Sequence, residues 1–243
     1  MHLDAPSTDG KHEQFATIRF LNQDKESEPE TLKDGRYIPQ KLIAGCEGII
    51  LNDIVKDMLY TRHLPESYKS GRSIDAARFV MLIAAFEWEF RRQYPDGIKK
   101  SQSKIVAEKE ICDEIQERIE HSSGNKRSIY KHLLNLVESV SLQSEIVQVS
   151  KDYSSIIDIF GKHLYAINGE KLVYSDMGKR LGDQRNAYAH GDLDKDFIGL
   201  SLLDLIYLEM ILYAMQLKYY GLDEVWIKHA INKLFNQHMI ITD

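Results

Sequence analysis

The sequence predicts an all-α multi-helix bundle preceded by a short non-helical arm. Three observations carry that expectation. From Pro39 onward apolar residues recur at helical spacing, and no second cluster of strand-like alternation appears. Helix-ending and helix-starting residues, such as Gly124, Gly221 and Asp223, fall between the periodic segments. A hydrophobic content of 43% over 243 residues is ample for a buried core, in one large domain or one domain with an appendage.

Taken in order, residues 15–20 alternate in strand fashion, with Leu21 closing the run, and 22–35 form a charged linker containing Pro and Gly. A lone strand cannot bury its own face. Residues 1–36 therefore read as an arm and linker or the remnant of an upstream domain, and 37–243 as the helical domain. Helices are expected near 39–63, 73–94, 101–121, 126–141, 143–166, 176–190, 197–220 and 223–237. Ser73 and Asp223 fit the N-cap position, and Gly124 and Gly221 fit helix stops. Leu133, Leu134, Val137 and Val140 keep one stripe. Asn168-Gly169 marks a turn, and 170–174 read as a short extended segment. The most apolar stretch, 197–215, is interrupted by Asp204 and Glu209, so it reads as a buried central helix and not a membrane span.

Composition narrows the function. A formal net charge of −6 argues against indiscriminate coating of nucleic acid, though not against a small basic cleft. Cys46 and Cys112 have no metal-binding spacing and no need to pair, and residues 1–14 are too polar for a signal peptide; both point to the cytoplasm. His121, His132, His163, His229 and His238 are scattered, without HxxxH or Cys–His spacing, so no metal site is expected. GxxxxGK[ST], GxGxxG after a strand and GxSxG are absent, which disfavours a P-loop ATPase, a Rossmann enzyme and an α/β-hydrolase, and no cofactor is expected.

One stretch concentrates chemistry: Arg185-Asn186-Ala187-Tyr188-Ala189-His190-Gly191. It places a permanent cation, an amide and an imidazole at the end of a predicted helix. Asn186 and His190 are four apart and share a face. Arg185 and His190 are five apart, roughly 140° around an ideal helix, so either the arginine uses its length or the histidine sits on a loosening last turn. Gly191 supports the second arrangement, because glycine commonly follows a helix end. Arginine forks onto phosphate oxygens, and histidine works as acid or base near neutrality.

This segment resembles the R-(polar)-x-x-x-H signature of the HEPN superfamily (higher eukaryotes and prokaryotes nucleotide-binding domains). The longer string Lys179 to Gly191 looks most like the ApeA-type branch, and the apolar-acidic stretch from Ala77 to Phe90 is similar to that branch's early helix. The likeness extends over roughly residues 40–240 as a helical pattern, while specific identity rests on these two stretches. The resemblance implies a helical bundle that dimerises and cuts RNA without a metal, with Arg185, Asn186 and His190 as the catalytic set. Some relatives carry a modified Tyr two residues after the His; here that position is Asp192, which does not support that mode of regulation. The expected function is a metal-independent endoribonuclease in prokaryotic anti-phage defence or a toxin-like role. It would act on an RNA substrate as a homodimer, with an upstream sensor domain or partner protein. The alternative is a non-catalytic dimerisation or RNA-binding scaffold coupled to a sensor. A third, weaker expectation is a nucleotide-binding partner of a nucleotidyltransferase.

Other residues bear on the same site. Glu87 stands on an otherwise apolar helix, and a buried acid needs a partner. Two settings are open: an ion pair with Arg185 across the bundle, or an exposed place beside Arg91, its i+4 neighbour. Lys179 and Arg180 would extend a cationic RNA-binding patch, or simply form a solvated helix face. Arg91, Arg92, Lys99, Lys100 and Lys104 form a second basic run, more readily explained as solvated than as an RNA path. Tyr207, Tyr213, Tyr219 and Tyr220 lie among Leu202, Leu203, Ile206, Met210 and Ile211, which favours a core or interface stripe over base stacking.

Overall fold

The computed structural model describes residues 2–6, 12–17, 37–65, 74–192, 197 and 199–241. The chain divides into two units, Met1–Lys33 and Asp34–Asp243. In the first, strands β1 (His2–Pro6) and β2 (His12–Thr17) pair antiparallel, with His2 opposite Thr17 and a register shift between Leu3 and Asp4. The single strand expected at 15–20 is thus corrected to a hairpin whose second strand ends at Thr17; 18–20 lie outside the described residues. Five residues ending in proline give β1 too few alternations to be read from sequence.

The second unit is an all-α multi-helix bundle. A 3₁₀ turn (Gln40–Leu42) leads into α1 (Glu47–Val55), followed by α2 (Ala76–Gln93), α3 (Gln102–Glu120) and α4 (Gly124–Glu138). Then come α5 (Leu142–Asp152), α6 (Ser154–Ile167), α7 (Tyr174–Ala189), α8 (Ser201–Tyr219) and α9 (Glu224–Leu234). The apolar stretch forms α8, and it is the hub: α2, α6, α7 and α9 all pack on it. Leu205, Leu208, Ile211, Leu212 and Met215 are buried along one face, and Tyr207, Met210 and Ala214 carry the burial round to the next, while Leu203, Ile206 and Tyr213 are only half-buried. Around it lie Phe79 and Phe86 of α2, Phe160 of α6, and Met177 and Leu181 of α7. No described helix is long and apolar enough to cross a membrane.

Two glycines let helices approach closely. A Cβ on Gly161 would collide with the Tyr207 ring, and one on Gly178 would stand 2.5 Å from the Cα of Gln143. The second contact seats α5 directly on α7, the helix that carries the motif.

Several expected boundaries differ. The helix expected at 39–63 is only α1, because Gly45 (φ +90°) and Asp57 (φ +53°) take left-handed conformations that end helical runs. The helix expected at 143–166 is two helices broken at Tyr153. The ring of Tyr153 is buried and its hydroxyl donates to Gln93, so α5 turns towards α7 and α6 towards α8 and α9. Asp75 caps α2, accepting from the Arg78 amide at 2.8 Å; Ser73 lies outside the described residues. Gly124 (φ +57°) opens α4 rather than closing α3, which ends at Glu120 with His121 as its cap. Residues 171–173 pair with no strand among the described residues, and Tyr174 already begins α7.

Candidate functional site

The motif occupies the last turn of α7 and its cap. His190 is the C-cap residue, and Gly191 follows with φ +85°. The Gly191 amide donates to the Tyr188 carbonyl at 3.1 Å, and the Asp192 amide donates to the Ala187 carbonyl at 3.0 Å. That pair of bonds is a Schellman closure, which explains why a glycine stands here. Tyr188 anchors this end of the helix to the core. Its ring is buried edge-on against Phe79 of α2 (centroids 5.4 Å apart) and against Phe197 (6.3 Å). With Tyr188 turned inward, Asn186 and His190 face solvent and Arg185 is half-buried.

Arg185 pairs with Glu87. Its Nη1 donates to Glu87 Oε1 across the α2–α7 contact, and the two side chains are 32% and 23% exposed. Of the two settings open for Glu87, the structure has the cross-bundle pair. The guanidinium is held in place by one contact and still reaches solvent with its remaining donors. Asn186 and His190 make no side-chain hydrogen bond, to each other or to any other described residue.

Sequence reading missed Glu145. It lies on α5 within the apolar stripe Leu142, Ile146 and Val149, is only 6% exposed, and its Oε2 has no hydrogen-bond partner among the described residues. Burial pushes its carboxyl up to about 7; the negative charge of Glu87 adds to the rise, and Arg91 and Arg185 oppose it. Glu87, Arg185 and Glu145 therefore form one electrostatic group drawn from three helices. The available signal was an acid on an apolar face, the same signal that singled out Glu87.

The other cations are placed differently. Arg180 turns inward: Nε donates to Asp204 Oδ2 at 2.7 Å and Nη2 to Oδ1 at 2.8 Å, while Tyr165 donates its hydroxyl to the same carboxylate. Asp204 is fully buried. Of the two residues expected in a cationic patch, Arg180 is tied to this carboxylate with its side chain 30% exposed, and Lys179 is exposed. Arg92 of the expected basic run is also tied. It bonds Glu89 at 2.8 Å and lies 3.6 Å over the Tyr219 ring. Tyr207 belongs to the core, donating to the Ile157 carbonyl at 3.1 Å.

Among the described residues, no three His, Cys, Asp or Glu side chains are grouped to hold a metal ion. Compared with models of known protein families, with curated proteins and with solved structures, the chain has no match.

Proposed function

We propose that the end of α7 is the centre of a metal-independent endoribonuclease, as the likeness of Arg185–His190 to the HEPN signature implies. The observation that supports it most is the presentation of the motif. Arg185 is steadied from below by Glu87, and His190 stands exposed at the helix cap five residues on. In the reaction, a base takes the proton of a ribose 2′-OH, and that oxygen attacks the adjacent phosphorus in line. The bond to the 5′-oxygen breaks and an acid protonates it. Arg185 neutralises the charge on the phosphorane, and His190 serves as acid or base. Asn186 is assigned to orienting the ring or the substrate. The products are a 2′,3′-cyclic phosphate and a 5′-hydroxyl, and DNA, which lacks the 2′-OH, resists.

One histidine cannot serve both faces of an in-line displacement. A two-fold homodimer that brings two motifs across one cleft supplies the second ring. The enzyme is placed in the prokaryotic cytoplasm, in anti-phage defence or a toxin-like role, with the sensing function in an upstream domain or partner. A second reading, a non-catalytic scaffold, draws on two observations: Arg185 already has a carboxylate partner, and no hydrogen bond joins Asn186 to His190.

The purified chain incubated with labelled RNA in EDTA separates them. Cleavage to 2′,3′-cyclic phosphate ends supports the enzyme. Intact RNA, or cleavage only after adding Mg²⁺ or Mn²⁺, removes the metal-free mechanism. Light scattering that shows a monomer at micromolar concentration removes the dimer.

A further inference from the structure

The arginines at 92, 180 and 185 are each tied to a carboxylate. A group of four lysines elsewhere in the bundle shares a single carboxylate. The start of α3, the segment after α4 and the outer face of α5 enclose a cleft of about 460 Å³, within the roughly 300–1,000 Å³ common for ligand sites. Lys99, Lys100, Lys104 and Lys151 line it against a single carboxylate, Glu108, which leaves the wall at a formal charge of +3 in a chain whose net charge is −6. Glu108 engages Lys100 at 2.5 Å and stands 3.9 Å from Lys104. Lys99 and Lys151 make no ion pair with any described residue, and the Gln143 side chain adds an unpartnered amide to the wall. Positive charge gathered in a concavity raises the local concentration of anions and focuses their approach. Lysines suit an extended run of negative charge, because each acts as a point charge on a flexible stem and needs no fixed fork geometry.

We propose that this cleft binds a phosphate chain, either the backbone of a nucleic-acid strand or the polyphosphate of a free nucleotide. The choice of RNA as that strand rests on the ribonuclease reading of α7; the charge of the cleft does not. Gln143 ties the two regions together, since it lines the cleft while its Cα is the atom that Gly178 of α7 packs against. A strand held here would lie on the helix that supports the motif.

The test uses the full chain carrying His190→Ala, so that bound RNA is not consumed. A fluorescein-labelled single-stranded RNA is titrated by anisotropy at several salt concentrations. Lys99→Glu with Lys151→Glu is compared with Lys228→Glu with Lys233→Glu on α9. The cleft pair is expected to weaken binding on the order of tenfold. It should also flatten the slope of log affinity against log salt by roughly 0.7 for each phosphate no longer neutralised, while the α9 pair leaves both quantities unchanged. Should the reversed charges disturb folding, as read by circular dichroism, Lys99→Gln with Lys151→Gln gives the same comparison. Adenosine triphosphate that displaces the RNA assigns the cleft to a nucleotide; failure to displace it assigns the cleft to a strand. The proposal is overturned if neither probe binds, if both lysine pairs weaken binding equally, or if the cleft pair binds like its parent. Binding in the cleft by a wild-type chain that never cuts RNA would end the ribonuclease reading alone. Cutting that survives both cleft variants, with binding unchanged, would end the cleft proposal alone.

Discussion

Arg180 and Arg185 stand five residues apart on α7, and each meets a carboxylate from a neighbouring helix. The likeness ends there. Arg180 forks onto Asp204 with two bonds, at 2.7 and 2.8 Å, and Tyr165 completes the shell of that fully buried acid. Arg185 makes one contact with Glu87, and both side chains keep access to solvent. The first pair is closed at the acid: both Asp204 oxygens are engaged and none of that side chain is exposed, although the Arg180 side chain itself is 30% exposed, much like Arg185. The second is open: the guanidinium is aimed but not saturated. Two arginines in one helix can thus divide into a structural tie and a group available for chemistry, and the partner's burial decides which is which.

Removing the closed tie has the largest expected effect on stability. Arg180→Ala leaves the buried Asp204 carboxyl without its cation inside the bundle. Breaking such a buried pair costs about 3–5 kcal/mol, read as a lower midpoint in denaturant unfolding. A midpoint within error of wild type would mean that Asp204 finds water or another partner, and the contrast between the arginines would collapse.

The next effect concerns the surroundings of the open pair. The Glu145 carboxyl is raised from its ordinary 4.5 to about 7, chiefly by burial. The folded chain therefore holds a proton there that the unfolded chain has released between about pH 4.5 and pH 7. Stability falls through that window as pH rises, and the full penalty is present above it. Glu145→Gln, which cannot ionise, is expected to gain on the order of 2–3 kcal/mol above pH 7 and nothing below pH 4.5. A melting temperature that rises equally at both ends would assign the gain to packing instead.

The smallest effect on stability belongs to Arg185→Ala. An ion pair this exposed contributes about 0–1 kcal/mol, so the unfolding midpoint should barely move. RNA cleavage should nevertheless be lost, and Arg185→Lys should restore little of it, because lysine keeps the charge but not the planar fork. A loss of stability as large as that of Arg180→Ala would make Arg185 a second structural tie.

Much of this was legible in the chain. The bounds of α2, α3, α7, α8 and α9 lie within a few residues of those that apolar spacing and capping residues indicate. The splits at Gly45 and Tyr153 were not legible, for different reasons. Gly45 sits in a run that keeps helical spacing, and its left-handed conformation shows only in the backbone. Tyr153 is bent out of line by a bond to Gln93, sixty positions earlier in sequence. The site shows the same division. The pairing of Glu87 with Arg185 could be read as one of two settings, because an acid among apolar residues needs a partner. Arg180 could not be told from a surface cation, since its partner Asp204 appeared only as an interruption in an apolar stretch. Glu145 obeyed the rule that singled out Glu87 and stood in a segment read as one continuous helix.

The most direct measurement of the open site is the cleavage rate of His190→Ala on RNA in EDTA, taken with its melting temperature. His190 lies exposed at a helix cap, so the melting temperature should stay at the wild-type value. Loss of general acid–base help should lower the rate by about 10²–10⁴-fold, close to background, with Asn186→Ala hurting less. Cleavage at the wild-type rate by a His190→Ala chain that melts like wild type would contradict the ribonuclease reading and leave the end of α7 as a scaffold.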